Sequence, residues 1–201
     1  IAERISGYKR VIVENHPKLV NQHCSTFNNL LAGKLEIAMG LETIHPAVLP
    51  ALNKQITPED FRSAAQYLAQ QQVDVRDFVL LIPPYNTNPC ENIEWTLRSV
   101  QFAFESRAKR CSVIPVRSGN GIMDVLLKEK DYVPPSLDML EEVVDKALAL
   151  KQGQVLADTW DIGFLSRCAI CFDKRKERLA AMNLSQQTAP DIQCTCKKDH
   201  R

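Results

Sequence analysis

Four cysteines near the C-terminus have the spacing of metal ligands. Cys168 and Cys171 are two residues apart, and after twenty-two residues Cys194 and Cys196 follow with one residue between them. Four thiolates in two close pairs suit a tetrahedral Zn²⁺ ion, which would also help to fold a segment too short for its own core. We expect structural zinc, although an auxiliary iron–sulfur cluster also uses four cysteines and the thiols could remain unliganded.

The other three cysteines predict no second metal site. Cys24 and Cys90 have no partner in sequence and are expected as thiols in a loop or on a helix surface, whereas Cys111 opens an apolar segment and is expected in the core. Seven cysteines without a secretory signal favour a reducing compartment, so we expect a cytoplasmic location.

Polar residues stand at the ends of short apolar segments, where chemistry collects in parallel barrels. They are Glu14, Glu42, Arg117, Asp158 and Asp161. For each one alone, a solvated loop entry or a helix cap is the plainer explanation. Carboxylates that close apolar strands can nevertheless accept hydrogen bonds from a ribose diol or an ammonium group.

Basic residues flank both cysteine pairs, and they have two interpretations. One is a solvated face; the other is a surface that binds RNA phosphates. The residues are Arg167, Lys174, Arg175, Lys176 and Arg178 beside the first pair, and Lys197, Lys198 and Arg201 beside the second.

Five segments that could position these residues are apolar almost throughout, which is typical of strands buried on both faces. They are Val11–Glu14, Leu35–Glu42, Phe78–Pro83, Cys111–Val116 and Val155–Ala157. Amphipathic helices between them are predicted to begin after Thr57, Asn88 and Ser136, each a favourable N-cap. This alternation predicts a parallel α/β sheet, either a barrel or doubly wound.

Composition excludes little else. The 201 residues carry a net charge of only +1, so the whole chain lacks the basic excess typical of nucleic-acid-binding domains. No apolar run reaches the roughly 18 residues of a membrane span, so we expect no membrane partner.

Several of these segments resemble radical S-adenosylmethionine (SAM) enzymes. Met39-Gly40-Leu41-Glu42-Thr43 is similar to a strand in these enzymes that ends Gly-x-Glu-Ser/Thr. The segment through Glu14 and Pro17 is similar to the strand that precedes it. Both strands occur in the Elongator catalytic subunit, the methylthiotransferases and the oxygen-independent coproporphyrinogen oxidases. The chain most resembles the radical SAM subunit of archaeosine synthase and its bacterial relatives, on four further strings: Ile44-His45-Pro46, Ile114–Gly121, Ala157–Asp161 and Met182-Asn183.

The resemblance implies roles for individual residues. Glu14 and Glu42 would contact the ribose and methionine parts of SAM, and Ile114 would lie near the adenine. Lys54 stands where the family has an arginine for the SAM carboxylate, and a lysine cannot form the same bidentate pair. Arg117, Asn120, Asp158 and Asp161 are candidates for substrate contacts.

The resemblance also implies a fold and a reaction. Residues 1–163 would be the C-terminal part of a radical SAM (β/α) TIM-type barrel, and residues 164–201 a small cysteine-rich, zinc-binding tail. The parent enzyme would use a 4Fe-4S cluster and SAM to form a 5′-deoxyadenosyl radical, in tRNA base modification by cleavage of a lysine side chain. The implied partners are tRNA, an electron donor and a partner subunit.

One departure from the family matters. Its cluster is held by Cys-x-x-x-Cys-x-x-Cys, and this spacing does not occur here. We therefore expect the cluster ligands upstream of Ile1, and the chain alone to be inactive. Methylthiolation or carboxymethylation of RNA, and a non-catalytic zinc-binding remnant that interacts with RNA, are the alternatives.

Overall fold

Five strands form one parallel sheet in the computed structural model, which describes residues 2–119 and 121–196. The strands are β1 (Arg10–Glu14), β2 (Lys34–Glu42), β3 (Asp74–Leu81), β4 (Arg110–Pro115) and β5 (Gln154–Ala157). Their order in the sheet is their order in the chain, and each pair is parallel. All five therefore end at the same edge, as in part of a (β/α) barrel. The predicted α/β class and parallel sheet are confirmed.

Seven α-helices lie in the described residues. They are α1 (Gln22–Asn29), α2 (Val48–Ala51), α3 (Pro58–Gln70), α4 (Pro89–Glu105), α5 (Ile122–Glu129), α6 (Leu137–Ala149) and α7 (Ala169–Ser185). The three predicted N-caps are confirmed at α3, α4 and α6. At α3 the Thr57 hydroxyl accepts a hydrogen bond from the Asp60 N–H at 3.1 Å, and the Asp60 carboxylate accepts one from the Thr57 N–H at 2.8 Å. No helix among the described residues has both the length and the hydrophobicity needed to cross a membrane.

The core has two parts. One packs β2 and β3 against α3, and the other packs β3, β4 and β5 against α4, α6 and α7. Cys111 is fully buried in the second part, as predicted. The prediction for Cys24 was wrong, because its thiol is buried in the first part, where α1 packs against the sheet.

Strand β3 begins four residues before the predicted strand, because its polar first half is buried in an ion-pair network instead of lying in a loop. Asp74 and Arg76 belong to that half. At the centre of the network is Glu36, which is fully buried. Three arginines donate to its carboxylate: Arg10 at 2.5 Å, Arg76 at 2.6 Å and Arg110 at 2.8 Å.

Helix α7, which the sequence analysis did not predict, covers the outer edge of β5. The Asn183 amide accepts from the Ala157 N–H at 2.7 Å and donates to the Ala157 carbonyl at 2.9 Å. Gln186 contacts Val155 in the same way, at 2.8 and 3.0 Å. The side chains of α7 thus replace a neighbouring strand, and this edge of the sheet is closed.

Two of the basic residues beside the cysteines belong to the interior, not to a surface. Arg175 donates to Glu141 and to Asp138, both at 2.6 Å. Arg178 donates to both carboxylate oxygens of Asp145 at 2.8 Å. Because both guanidinium groups are buried against α6, the predictions of a solvated face or an RNA contact were wrong for these two residues. The boundary at 163/164 stays a prediction, although α7 shares the core of the sheet.

Candidate functional site

A cleft of about 310 Å³ lies where β1 and β2 end. Glu14 and Glu42, both singled out by the sequence analysis, line this cleft together with Lys54. Glu14 is the last residue of β1 and Glu42 the last of β2. The structure therefore brings together three of the four predicted SAM-binding residues.

Glu42 is presented by an irregular end of β2. The register with β3 shifts between Gly40 and Glu42, and Glu42 has a left-handed backbone with φ 67°. Its side chain folds back over Gly40, where a Cβ would overlap the Glu42 carboxylate. Glycine at position 40 is therefore required by this placement of Glu42, because any larger residue would displace the carboxylate.

Lys54 and Glu42 form an ion pair across the mouth of the cleft. The Lys54 Nζ lies 2.8 Å from Glu42 Oε1, and a ring nitrogen of His16 is 3.2 Å from the Lys54 carbonyl. Glu42 is buried, whereas the Lys54 side chain is about half exposed. An ammonium group has three donors and a carboxylate has several acceptor positions, so both groups keep capacity for a polar ligand.

Ile114 does not line the cleft. It lies on β4, and its register with Leu80 puts it on the same face of the sheet as Phe78, which does line the cleft. Its contact with adenine stays a prediction. His16 and Phe78 also line the cleft and were not predicted, although His16 belongs to the polar segment that follows Glu14.

A second group of predicted residues meets at the ends of β4 and β5. Arg117 donates to the Asp158 carboxylate at 3.0 Å, and the exposed Asp161 lies three residues beyond Asp158. Asn120 lies outside the described residues, as do Lys197, Lys198 and Arg201. Whether any of these contacts a substrate stays a prediction.

The four cysteines of the tail converge. Their Sγ atoms all lie within 4.8 Å of one another, with 3.9 Å between Cys168 and Cys194 and 3.6 Å between Cys171 and Cys196. Bonds of about 2.3 Å to a tetrahedral zinc would place the sulfurs roughly 3.8 Å apart. In a four-iron cluster each thiolate binds a different iron, which requires wider separations. This cysteine group can therefore hold a metal ion, and its spacing favours a single ion.

The local backbone favours the thiolate form at two of these positions. Backbone N–H groups of Cys171 and Ile170, at the N-terminus of α7, lower the pKa of Cys168. The N–H of Cys196 lowers the pKa of Cys194 to about 7. Since metals bind thiolates, these donors reduce the cost of deprotonation on metal binding.

The cleft fits SAM in its set of hydrogen-bond donors and acceptors. Its volume is at the lower end of the range for small-molecule sites. Glu14 and Glu42 could accept from ribose hydroxyls or an ammonium group, and Lys54 could donate to a carboxylate. The small residues Ala38 and Gly40 form part of its lining and leave room for a ligand.

Comparison with known proteins supports the fold. No family model matches the sequence, and no curated protein matches it. Among solved structures, the chain is similar to Elp3 of the archaeon Methanocaldococcus infernus, with 17% identity, a TM-score of 0.60 and coverage of 74% of this chain and 34% of that one. It is also similar to the Escherichia coli coproporphyrinogen III oxidase HemN, described as a radical SAM enzyme, with 17% identity, a TM-score of 0.53 and coverage of 72% and 32%.

At 17% identity the likeness concerns the fold alone: the parallel sheet and its helices resemble part of the TIM-barrel-type fold of these two proteins. The chain spans about a third of the length of the two solved chains. What the whole protein does must therefore be argued from the site.

Proposed function

We propose that this chain is the SAM-binding portion of a radical SAM enzyme that modifies a base in tRNA. The observation that carries the proposal is the cleft at the ends of β1 and β2, where Glu14, Glu42 and Lys54 meet. The sequence resemblance to radical SAM enzymes involves the same three residues, and the fold likeness to HemN is consistent with that family.

Each side chain has a distinct task in this proposal. Glu14 and Glu42 accept hydrogen bonds from the ribose hydroxyls and the amine of SAM, and Lys54 donates to its carboxylate. Because Lys54 already contacts Glu42 at 2.8 Å, the pair is oriented before the ligand arrives. When bound, SAM and a reduced 4Fe-4S cluster supply the radical chemistry. Residues outside this chain would hold the cluster, since its cysteine motif does not occur in the sequence.

The substrate part of the proposal rests on sequence resemblance. Strings around Arg117, Asp158 and Asn183 are similar to the archaeosine synthase radical SAM subunit, whose reaction cleaves a lysine side chain on a tRNA base. Arg167, Lys174 and Lys176 are exposed beside the cysteine group and remain available for RNA phosphates. A cytoplasmic location is part of the proposal, and the seven cysteines support it because free thiols are typical of a reducing compartment.

Zinc is the metal that we propose for the four cysteines. Tetrahedral four-thiolate sites are common for structural zinc, and the sulfur separations of 3.6 and 3.9 Å match such a site. The metal would tie the start of α7 to the segment through Cys194 and Cys196. Its role in the proposal is structural.

SAM binding to the purified chain tests the proposal. We expect calorimetry to detect binding, and Glu42→Ala to weaken it by about tenfold to a hundredfold, since hydrogen bonds to charged groups contribute about 1.5–3 kcal/mol. Glu59→Ala is the matched control, because Glu59 is an exposed glutamate that pairs with Arg62 on α3.

The reaction is tested with a longer protein that contains the cluster motif. After anaerobic reconstitution and reduction, it should form 5′-deoxyadenosine from SAM, and Glu42→Ala should reduce this. Equal SAM affinity for the chain and the Glu42→Ala variant would refute the site. Absence of SAM binding by a folded, zinc-loaded chain would favour the non-catalytic alternative.

A further inference from the structure

A cluster of two aromatic rings around one arginine lies at the ends of β4 and β5. The guanidinium carbon of Arg117 is 4.9 Å from the centre of the Trp160 ring and 5.7 Å from that of Phe164. Both distances are within the range of cation–π contacts. We call Arg117, Asp158, Trp160 and Phe164 the Trp160 cluster.

Hydrogen bonds fix the Trp160 cluster in place. Arg117 Nη2 donates to Asp158 Oδ2 at 3.0 Å and to the Trp160 carbonyl at 2.5 Å. The other Asp158 oxygen, Oδ1, accepts from the Trp160 N–H at 3.0 Å. One carboxylate thus holds both the arginine and the backbone of the tryptophan, which fixes the point at which the indole leaves the chain and keeps Arg117 against the ring.

The Trp160 side chain is nevertheless largely open to solvent. Its residue is 72% exposed, and Phe164 is 42% exposed. The next residue, Asp161, has a left-handed backbone with φ 49°, a conformation that costs a non-glycine residue free energy. The exposed Asp161 carboxylate makes no capping hydrogen bond to the helical turn that follows. An exposed indole beside an exposed carboxylate is suited to binding a planar ligand with donor groups.

We propose that Trp160 is a stacking platform for the base of an unpaired RNA nucleotide. Proteins recognise single-stranded RNA by stacking bases on aromatic rings and on guanidinium planes, and the Trp160 cluster offers both. Arg117 supports the indole, and Asp161 accepts a hydrogen bond from an amino group on the edge of the base. Because the Arg117 charge is paired with Asp158, the ring itself is the binding surface, and aromatic rings stack RNA bases with little dependence on sequence.

The position of the platform fits a substrate site. Strands β4 and β5 end at the same edge of the sheet as β1 and β2, whose ends form the cleft. Three strand spacings separate β5 from β2, or about 14 Å along the sheet. A nucleotide on Trp160 would therefore have its neighbours close to the cleft. This inference deepens the proposed function, on which its biological meaning rests, but base stacking itself requires no SAM.

Tryptophan fluorescence provides a direct test. The chain has two tryptophans, so Trp95→Phe leaves Trp160 as the single reporter. We expect a single-stranded RNA heptamer of mixed sequence to quench this fluorescence with a saturable titration. In fluorescence anisotropy with the labelled heptamer, Trp160→Ala should weaken binding between about fivefold and a hundredfold, as aromatic substitutions at stacking sites do, and Trp160→Phe should weaken it less.

Two controls make the result specific. Tyr8 is a 65% exposed aromatic residue that precedes β1, the outer strand on the other side of the sheet from β5. Tyr8→Ala should leave RNA affinity unchanged. The wild-type chain should bind an abasic heptamer more weakly than the normal heptamer. The wild-type chain and Trp160→Ala should have the same affinity for the abasic heptamer.

Equal affinity of Trp160→Ala and the wild-type chain for the normal heptamer would overturn the proposal. So would an absence of quenching, which would show that no base stacks on Trp160. SAM affinity, measured on the same variants, separates this inference from the proposed function. Trp160→Ala should leave SAM affinity unchanged. Glu42→Ala should weaken SAM binding and leave RNA affinity unchanged.

Discussion

The buried carboxyl group of Asp77 accepts a hydrogen bond from the backbone N–H of Leu41 at 3.1 Å. Leu41 lies at the register shift between Gly40 and Glu42, so Asp77 on β3 holds the irregular end of β2. Burial raises the pKa of Asp77 well above its usual range, and the nearby Glu42 charge adds to this effect. A residue outside the cleft thus determines how Glu42 is presented inside it.

Replacing Asp77 should therefore affect both stability and SAM binding. In Asp77→Leu the Leu41 N–H loses its acceptor while buried, and we expect a loss of about 1–3 kcal/mol in the free energy of unfolding. SAM affinity should also fall, because Glu42 is no longer held. Asp77→Asn keeps an oxygen acceptor and should retain most of both. Urea unfolding and calorimetry measure the two quantities, and similar SAM affinities for the Leu and Asn variants would contradict this positioning role.

Asp77 also predicts a pH dependence of stability. Because its pKa is raised in the folded chain, the folded state keeps a proton that the unfolded state loses above about pH 4. The contribution of Asp77 is therefore complete below that pH and is lost as pH rises toward the folded-state pKa, by up to about 1.4 kcal/mol per pH unit. Asp77→Asn removes this titration. In urea unfolding from pH 5 to pH 8, the stability of the wild type relative to Asp77→Asn should fall, and a constant difference would exclude the raised pKa.

Local signals in the sequence predicted much of the fold. The capping box at Thr57 and Asp60 needs only neighbouring residues, and an apolar segment such as that ending at Glu42 forms a strand in many contexts. Because parallel strands end at one edge, Glu14 and Glu42 could be expected to meet. The four cysteines were found because their spacing is short within each pair.

The rest depends on contacts between residues far apart in the chain. Asp74 and Arg76 are residue types typical of a loop, and only the neighbouring Glu36 explains why they lie in a strand. The predicted strand therefore began too late. Likewise, the basic stretch of α7 suggests a surface until Glu141 and Asp145 on α6 are placed next to it. Buried polar pairs of this kind carry no periodic signal, which is why sequence patterns do not reveal them.

The amide side chains on α7 should be important for stability. Asn183→Ala removes two hydrogen bonds to the Ala157 backbone and leaves the edge of β5 without a partner there. We expect the free energy of unfolding to fall by about 1–3 kcal/mol. Gln187→Ala is the control, since Gln187 is an exposed neighbour in the same segment. Equal stability of the two variants in urea unfolding would show that α7 does not secure β5.

Metal removal should affect the cysteine group without unfolding the sheet. Metal analysis should find about one zinc and no iron per chain, and Cys168→Ser with Cys171→Ser should abolish zinc binding, because two thiolates rarely suffice for a structural site. Cys90→Ser is the control, as Cys90 is an exposed thiol on α4. Helix α7 should stay docked in the metal-free chain, since Leu179 and Met182 remain in the core. Hydrogen exchange should therefore increase near residues 168–171 and 194–196 while β5 stays protected. Iron in place of zinc, or a cysteine pair variant that keeps its zinc, would refute the single-ion assignment.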